Sequence, residues 1–143
     1  MEGLERTKRQ GNSMDRIKEY FKKDQFAARN GIELLEVSAG LAKAKMVLQP
    51  HHWNALGTVH GGAIFTLADF CFAAACNSHG TVAVAIDANI TFMKAASTGV
   101  LLAEAREIAK NFKLGSYLVE VRDDKNELIA QFHGLAYRKK NPL

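Results

Sequence analysis

Proline and cysteine are scarce in this chain, with 2 of each in 143 residues. So little proline excludes a polyproline or low-complexity architecture. The cysteines, Cys71 and Cys76, fall in one helical segment whose geometry sets them apart around the axis. That excludes a local disulfide; both are expected as small buried hydrophobes in a reducing compartment. There is no dense Lys/Arg stripe interleaved with aromatics, which argues against a nucleic-acid partner. The first residues lack an apolar signal-peptide core, and the longest apolar run carries Asp69 and Asn77 and is short for a membrane span. A cytoplasmic protein without a membrane partner is expected. No Cys/His/acid set has metal-ligand spacing, and neither a nucleophilic-serine signature nor a Gly-rich phosphate loop occurs, so no metal and no cofactor are expected.

What is present is an ordinary globular composition, 48% hydrophobic and 24% charged, at a length that suits one domain. The formal net charge of +4 suits a small polyanionic ligand. Residues 1–13 are charged and aperiodic and read as a disordered N-terminal extension; residues 14–143 read as the single domain. Met14, Ile17, Tyr20 and Phe21 share one helical face, which predicts a helix from Met14 to Arg29 with Ser13 as N-cap and Asn30-Gly31 as stop. The period then changes to two. Ile32 to Val37 and Leu41 to Leu48 form a hairpin around Ser-Ala-Gly, with Ala42, Ala44, Met46 and Leu48 inward. A polar, irregular stretch to Val59 leads into a long apolar helix ending near Asn77 to Gly80. Four more extended segments close the chain, joined by short turns. Consecutive strands with short connections argue for an antiparallel sheet. A helix that is apolar nearly all round needs cover on most sides, which one curved sheet wrapped around it supplies. The fold class is therefore α+β, with a two-layer sandwich as the lesser alternative.

The stretch "VHGGAIFTLADFCFAAACNSHG", Val59 to Gly80, carries the chemistry. Gly61 and Gly62 sit where the helix begins, where amides have no internal partner and the dipole is positive. Such amides can hold a carbonyl oxygen and stabilise charge growing on it; a plain loop-to-helix turn is the bland alternative. Asp69 is the lone carboxylate of the run. It follows Gly61 by about 12 Å of helical rise, too far for both to act on one carbonyl. Three roles remain open: a structural bond to backbone or hydroxyl, exposure on an uncovered strip, or a site shared with Gly61 of a second, antiparallel copy. His51 and His52 read as loop residues, His79 as part of the helix end, and His133 as packing.

The pattern Asn54-x5-His60-Gly61-Gly62-x6-Asp69, followed by "ACNSHG" and the strand "IDANITFMKAASTG", resembles the PaaI-type branch of the hotdog-fold thioesterases over about residues 14 to 139. That resemblance implies a long central helix in a curved antiparallel sheet and an acyl-CoA substrate, with aryl- and phenylacetyl-CoA among the candidates. It implies homodimers paired edge to edge with composite active sites, assembled into a homotetramer as a dimer of dimers. It further implies that Asp69 attacks the thioester carbonyl or activates water, that the Gly61 amide polarises that carbonyl from the opposite subunit, that Asn54 orients nucleophile or water, and that His60 supports the loop or the leaving thiolate. Gly62, Phe65 and Lys94 are candidate substrate-binding residues. Where some relatives carry a Ser or Thr that assists the water, this chain has Ala85, with Asp87, Asn89 and Thr91 expected on the same strand face. Lys94, Lys110, Lys113, Arg138 and Lys139, near strand ends, are candidate phosphate contacts, and Phe65, Phe70 and Phe72 candidate acyl-pocket residues. A hydratase/dehydratase of the same fold, pairing a His with an acid, and a non-catalytic acyl-CoA-binding protein are the competing functions.

Overall fold

The computed structural model describes residues 14–143. The expected disorder of 1–13 and the Ser13 cap lie outside the described residues. The elements in chain order are helix α1 (14–21), α2 (Gln25–Arg29), strands β1 (Ile32–Ser38) and β2 (Leu41–Val47), a 3-10 turn (Pro50–His52), helix α3 (Gly61–Asn77), and strands β3 (Thr81–Phe92), β4 (Val100–Lys110), β5 (Leu114–Arg122) and β6 (Leu128–Pro142).

The single helix expected from Met14 to Arg29 is two. Asp24 breaks it: its Oδ1 accepts from the Ala27 amide at 2.9 Å, so the side chain caps a new helix rather than extending the old one. Asn30 and Gly31 (φ 71°) stop α2 as anticipated.

The strands make one antiparallel six-stranded sheet in the order β1-β2-β4-β5-β6-β3. The last strand thus inserts between β5 and β3, leaving β3 at an edge. Ala42, Ala44, Met46, Leu101, Ala105, Val119, Val121 and Phe132 are buried on the concave face, and α3 touches all six strands. Small residues let helix and sheet approach closely. At Gly134 a Cβ would stand 2.8 Å from the Phe72 ring, so this position admits no side chain while Phe72 stays where it is. A hotdog fold, a curved sheet around a long central helix, is thus what the residue pattern builds.

The β3–β6 ladder is irregular at two places, between Thr81 and Ala83 and between Ala85 and Asp87, and the second breaks the alternation. A bulge between Ala85 and Asp87 shifts the register, so that Ala88, Ile90 and Phe92 oppose the inward Gly134, Phe132 and Ala130, while Asp87, Asn89 and Thr91 oppose the outward Leu135, His133 and Gln131. Ala85 opposes Ala136, which is buried. Asp87, Asn89 and Thr91 therefore do not share a face with Ala85, contrary to the period-two expectation. Strand β6 also runs further than its alternation suggested, pairing Pro142 with Thr81.

Candidate active site

Both ends of α3 are fixed by the chain around them. The loop before it is held by Asn54, whose Oδ1 accepts from the amides of Leu56 (2.9 Å) and Thr58 (3.2 Å) and whose Nδ2 donates to Thr58 Oγ1 at 3.0 Å. One Asn54 N–H is left over after these bonds. His52 fastens the loop to the end of α2: its Nε2 donates to Asn30 O at 3.0 Å and its Nδ1 accepts from the Gln49 amide at 3.0 Å. Burial holds this imidazole neutral, its pKa lowered from the ordinary value, which suits those two bonds. His52 is thus a structural residue of the loop.

His60 is the N-cap of α3, and its Nδ1 accepts from the Gly62 amide at 2.8 Å. The amides of Ala63 and Ile64 reach the His60 carbonyl. The Gly61 N–H alone, among the described residues of this first turn, donates to nothing. Gly62 therefore serves the cap, and the Gly61 amide is the one left unbonded in this turn among the described residues. Phe92, from the end of β3, lies over Gly61: a Cβ there would stand 3.0 Å from its Cζ. The sequence reading missed Phe92. Its signal was the strand pattern alone, and the bulge that turns it inward was not legible.

Asp69 lies two turns along α3. Gly62, Phe65, Thr66, Asp69 and Ala73 form a strip of α3 that the sheet leaves partly exposed. The Asp69 carboxylate is half-buried and accepts no hydrogen bond from the described residues, which removes the structural-bond reading. Its pKa is raised, first by burial and then by the negative charge of Asp24. A partly dry carboxylate with free lone pairs is a stronger base than one in water. Phe65 flanks the strip, its ring edge-on to Phe132 with centroids 5.4 Å apart. Phe72, by contrast, is core, and Phe70 is buried against Phe21.

The candidate cations divide between the two ends of the sheet. Lys94 lies beyond β3 at the end where α3 begins and pairs with Glu127. Lys110, Lys113, Arg138 and Lys139 lie at the opposite end, where Arg138 donates to Asn111 O at 2.6 Å. One binding event at Gly61 of this chain cannot use both groups. The edge strand β3 carries Val84, Ile86 and Phe92 exposed, and its free side has no partner strand among the described residues.

Comparison with known proteins agrees with this fold. The chain matches the model of the Thioesterase superfamily over residues 56–130, from the loop before α3 into β6. A relative in Archaeoglobus fulgidus with a provisional esterase designation is 43% identical over 92% of this chain and 87% of its own length. The acyl-coenzyme A thioesterase PaaI of Escherichia coli is 31% identical over 82% of this chain and 85% of its own. The solved structure of the E. coli PaaI protein, from the phenylacetic acid degradation operon, superposes with a TM-score of 0.83 over 86% of this chain and 90% of that one.

Proposed function

The chain belongs to the thioesterase superfamily, and on that premise we propose that it hydrolyses acyl-CoA thioesters in the cytoplasm as a homo-oligomer whose active sites are shared between subunits. The observation that carries the proposal is one pairing of features. Among the described residues the Gly61 amide has no partner at the start of α3, and the Asp69 carboxylate has none farther along the same helix. They are about 12 Å apart along the axis, so each needs its complement from another copy. The unpaired edge of β3, with Val84 and Ile86 exposed, is where a second copy would add its own β3 antiparallel. Such a two-fold dimer sets two α3 helices antiparallel, Asp69 of each facing Gly61 of the other. Pairing of two dimers through another face would give the tetramer.

In this site the Asp69 carboxylate supplies an electron pair, either to the carbonyl carbon directly or to a proton of the attacking water. The carbonyl oxygen takes up negative charge and accepts from the Gly61 N–H. The C–S bond then breaks, and the CoA thiolate leaves and is protonated by solvent; on the direct route water then hydrolyses the acyl–Asp69 anhydride, which frees the acid and restores the carboxylate. A thiolate leaves readily, so no strong general acid is needed. A single amide aimed at the developing oxyanion is worth about 3–4 kcal/mol. Asn54 and His60 keep the loop and the first turn in register for that amide, Phe65 and Phe92 flank the reacting group, and Lys94 meets a phosphate by exchanging Glu127 for it.

Thiol release from a panel of acyl-CoAs, including phenylacetyl, hydroxybenzoyl and straight-chain acyls, tests the activity. The wild type is expected to release CoA and free acid, and Asp69→Asn to release almost none. A panel left wholly uncleaved by the wild type would refute the proposal.

A further inference from the structure

A groove of about 670 Å³ opens between α1, α2 and β1, with Phe21, Phe70, Ala27, Ile32 and Leu34 as its apolar floor. Phe21 and Phe70 meet edge to face at 5.7 Å and form its inner wall. A second open cavity beside α1 lies toward Gly80, Pro142 and Leu143, at the far end of α3 from Gly61. The first groove is the one that adjoins the reacting carboxylate. Phe70 follows Asp69 in α3, α2 packs on α3, and Asp24 both lines the groove and acts on Asp69 through its charge.

The charges around this groove are unevenly satisfied. Lys18 Nζ donates to Leu35 O at 3.1 Å, and Lys22 Nζ to Glu19 at 2.6 Å. Glu33 faces Lys45 at 3.6 Å. Asp15 and Asp24 have no cation within salt-bridge distance among the described residues. The groove therefore offers an apolar floor and a net negative mouth, with both of its lysines already engaged.

We propose that this groove receives the acyl group of the thioester and that the Asp24 carboxylate at its mouth makes the enzyme select against acyl groups carrying a negative charge of their own. The inference rests on the acyl-thioester reading above and adds the substrate class: uncharged acyl groups, with ω-carboxyl acyl groups disfavoured. A second carboxylate brought near Asp24 and Asp69 meets repulsion that water screens only in part. An apolar chain of the same length meets the floor alone.

Hexanoyl-CoA and adipoyl-CoA have equal carbon counts and differ in one terminal carboxylate. The wild type is expected to favour hexanoyl-CoA in kcat/KM by about tenfold or more, the ratio that modest like-charge repulsion produces. Asp24→Asn keeps an oxygen to cap Ala27 and removes the charge, so most of that preference should vanish. Any change it makes to Asp69 acts on both substrates alike and cancels in the ratio. In a second variant, Ala28→Trp at the groove wall, the octanoyl-to-acetyl ratio should fall by about tenfold as the groove narrows. Equal cleavage of the two six-carbon substrates by the wild type, or an unchanged ratio in Asp24→Asn, overturns the role of Asp24. An unchanged octanoyl-to-acetyl ratio in Ala28→Trp overturns the assignment of the groove. Cleavage of no thioester overturns the function and this inference together, so the two failures are told apart.

Discussion

One helix has two very different ends. Where α3 finishes, the side chains of Asn77, Ser78 and His79 are each hydrogen-bonded. Asn77 donates to Ala73 O at 2.8 Å and Ala83 O at 3.1 Å and accepts from the Ala83 amide at 2.9 Å. Ser78 Oγ donates to Ala75 O at 2.6 Å and accepts from the Gly40 amide at 2.7 Å. His79 and the buried Tyr117 both donate to Glu107 Oε1, at 2.9 and 2.7 Å. Where α3 starts, an amide is free among the described residues, and so is a carboxylate two turns on. The two carboxylates differ accordingly. Burial pushes Glu107 up, but the bonds from Tyr117 and His79 outweigh it and hold its pKa below the ordinary carboxylate range. Asp69 has burial and Asp24 against it, no donor to offset them, and stays raised. The closed end stabilises the fold, and the open strip costs stability, the cost expected of a strip that carries the chemistry proposed above.

The sharpest way to break this contrast is Asp69→Asn. General-base or nucleophile loss should cut kcat by about a thousandfold, or about 4 kcal/mol. The same variant should melt higher than the wild type at neutral pH. A carboxyl whose folded pKa is raised binds its proton more tightly in the native state, so its ionisation destabilises the fold. The melting advantage should therefore shrink as pH falls from the raised native value toward the ordinary carboxylate value. The acid limb of the wild-type pH–rate profile should likewise sit above the ordinary carboxylate range. A variant that is both inactive and less stable would contradict the account of Asp69.

Gly61→Pro should follow, at about 3 kcal/mol of lost transition-state stabilisation. Gly61 is the first residue of α3 and has no positive φ, and His60 at φ −60°, ψ 135° is extended, as a residue before proline must be. Proline there removes the N–H and keeps the helix. Gly61→Ala keeps the N–H and displaces only the half-exposed Phe92 ring, so it should retain far more activity; equal losses in the two variants would implicate Phe92 packing instead.

At the closed end, Asn77→Ala should cost about 3 kcal/mol of stability by stranding the buried Ala83 amide and carbonyl. Activity per folded molecule should be retained, as read by chemical denaturation beside thiol release. Tyr117→Phe should cost less, about 2 kcal/mol, because Glu107 keeps His79. Glu107 contributes stability above its unfolded pKa, and that contribution is lost as pH falls through its lowered native value. The Phe variant should accordingly show a smaller acid-dependent loss of stability, complete at a higher pH than in the wild type.

Much of this was legible in the sequence, and the reasons are physical. The period-two runs around Ala42 to Leu48 and the apolar run from Ala63 to Cys76 write the sheet and its helix directly. That Gly61 and Asp69 stand too far apart to act on one carbonyl could be read from helical rise alone; a pairing across subunits was only what the family resemblance implied. Asp24 was not legible as a helix break, because the pattern of Met14, Ile17, Tyr20 and Phe21 runs smoothly into α2 and only a side-chain bond to Ala27 separates them. The bulge at Ile86 was invisible to alternation, and it decides which face carries Phe92 and which carries Asp87. The insertion of β6 beside β3 is a long-range pairing that no local signal encodes. Gly62 looked equivalent to Gly61 until His60 was seen to take its amide.

The central claim is that Asp69 and Gly61 act across a subunit boundary. Asp69→Ala and Gly61→Pro chains, each inactive alone, should be dissociated, mixed in equal amounts and reassociated. Random reassortment makes about half the dimers mixed, each with one site intact and one doubly defective, so activity should return to about one quarter of wild type. A mixture no more active than its two components would contradict a shared site and return both residues to one chain.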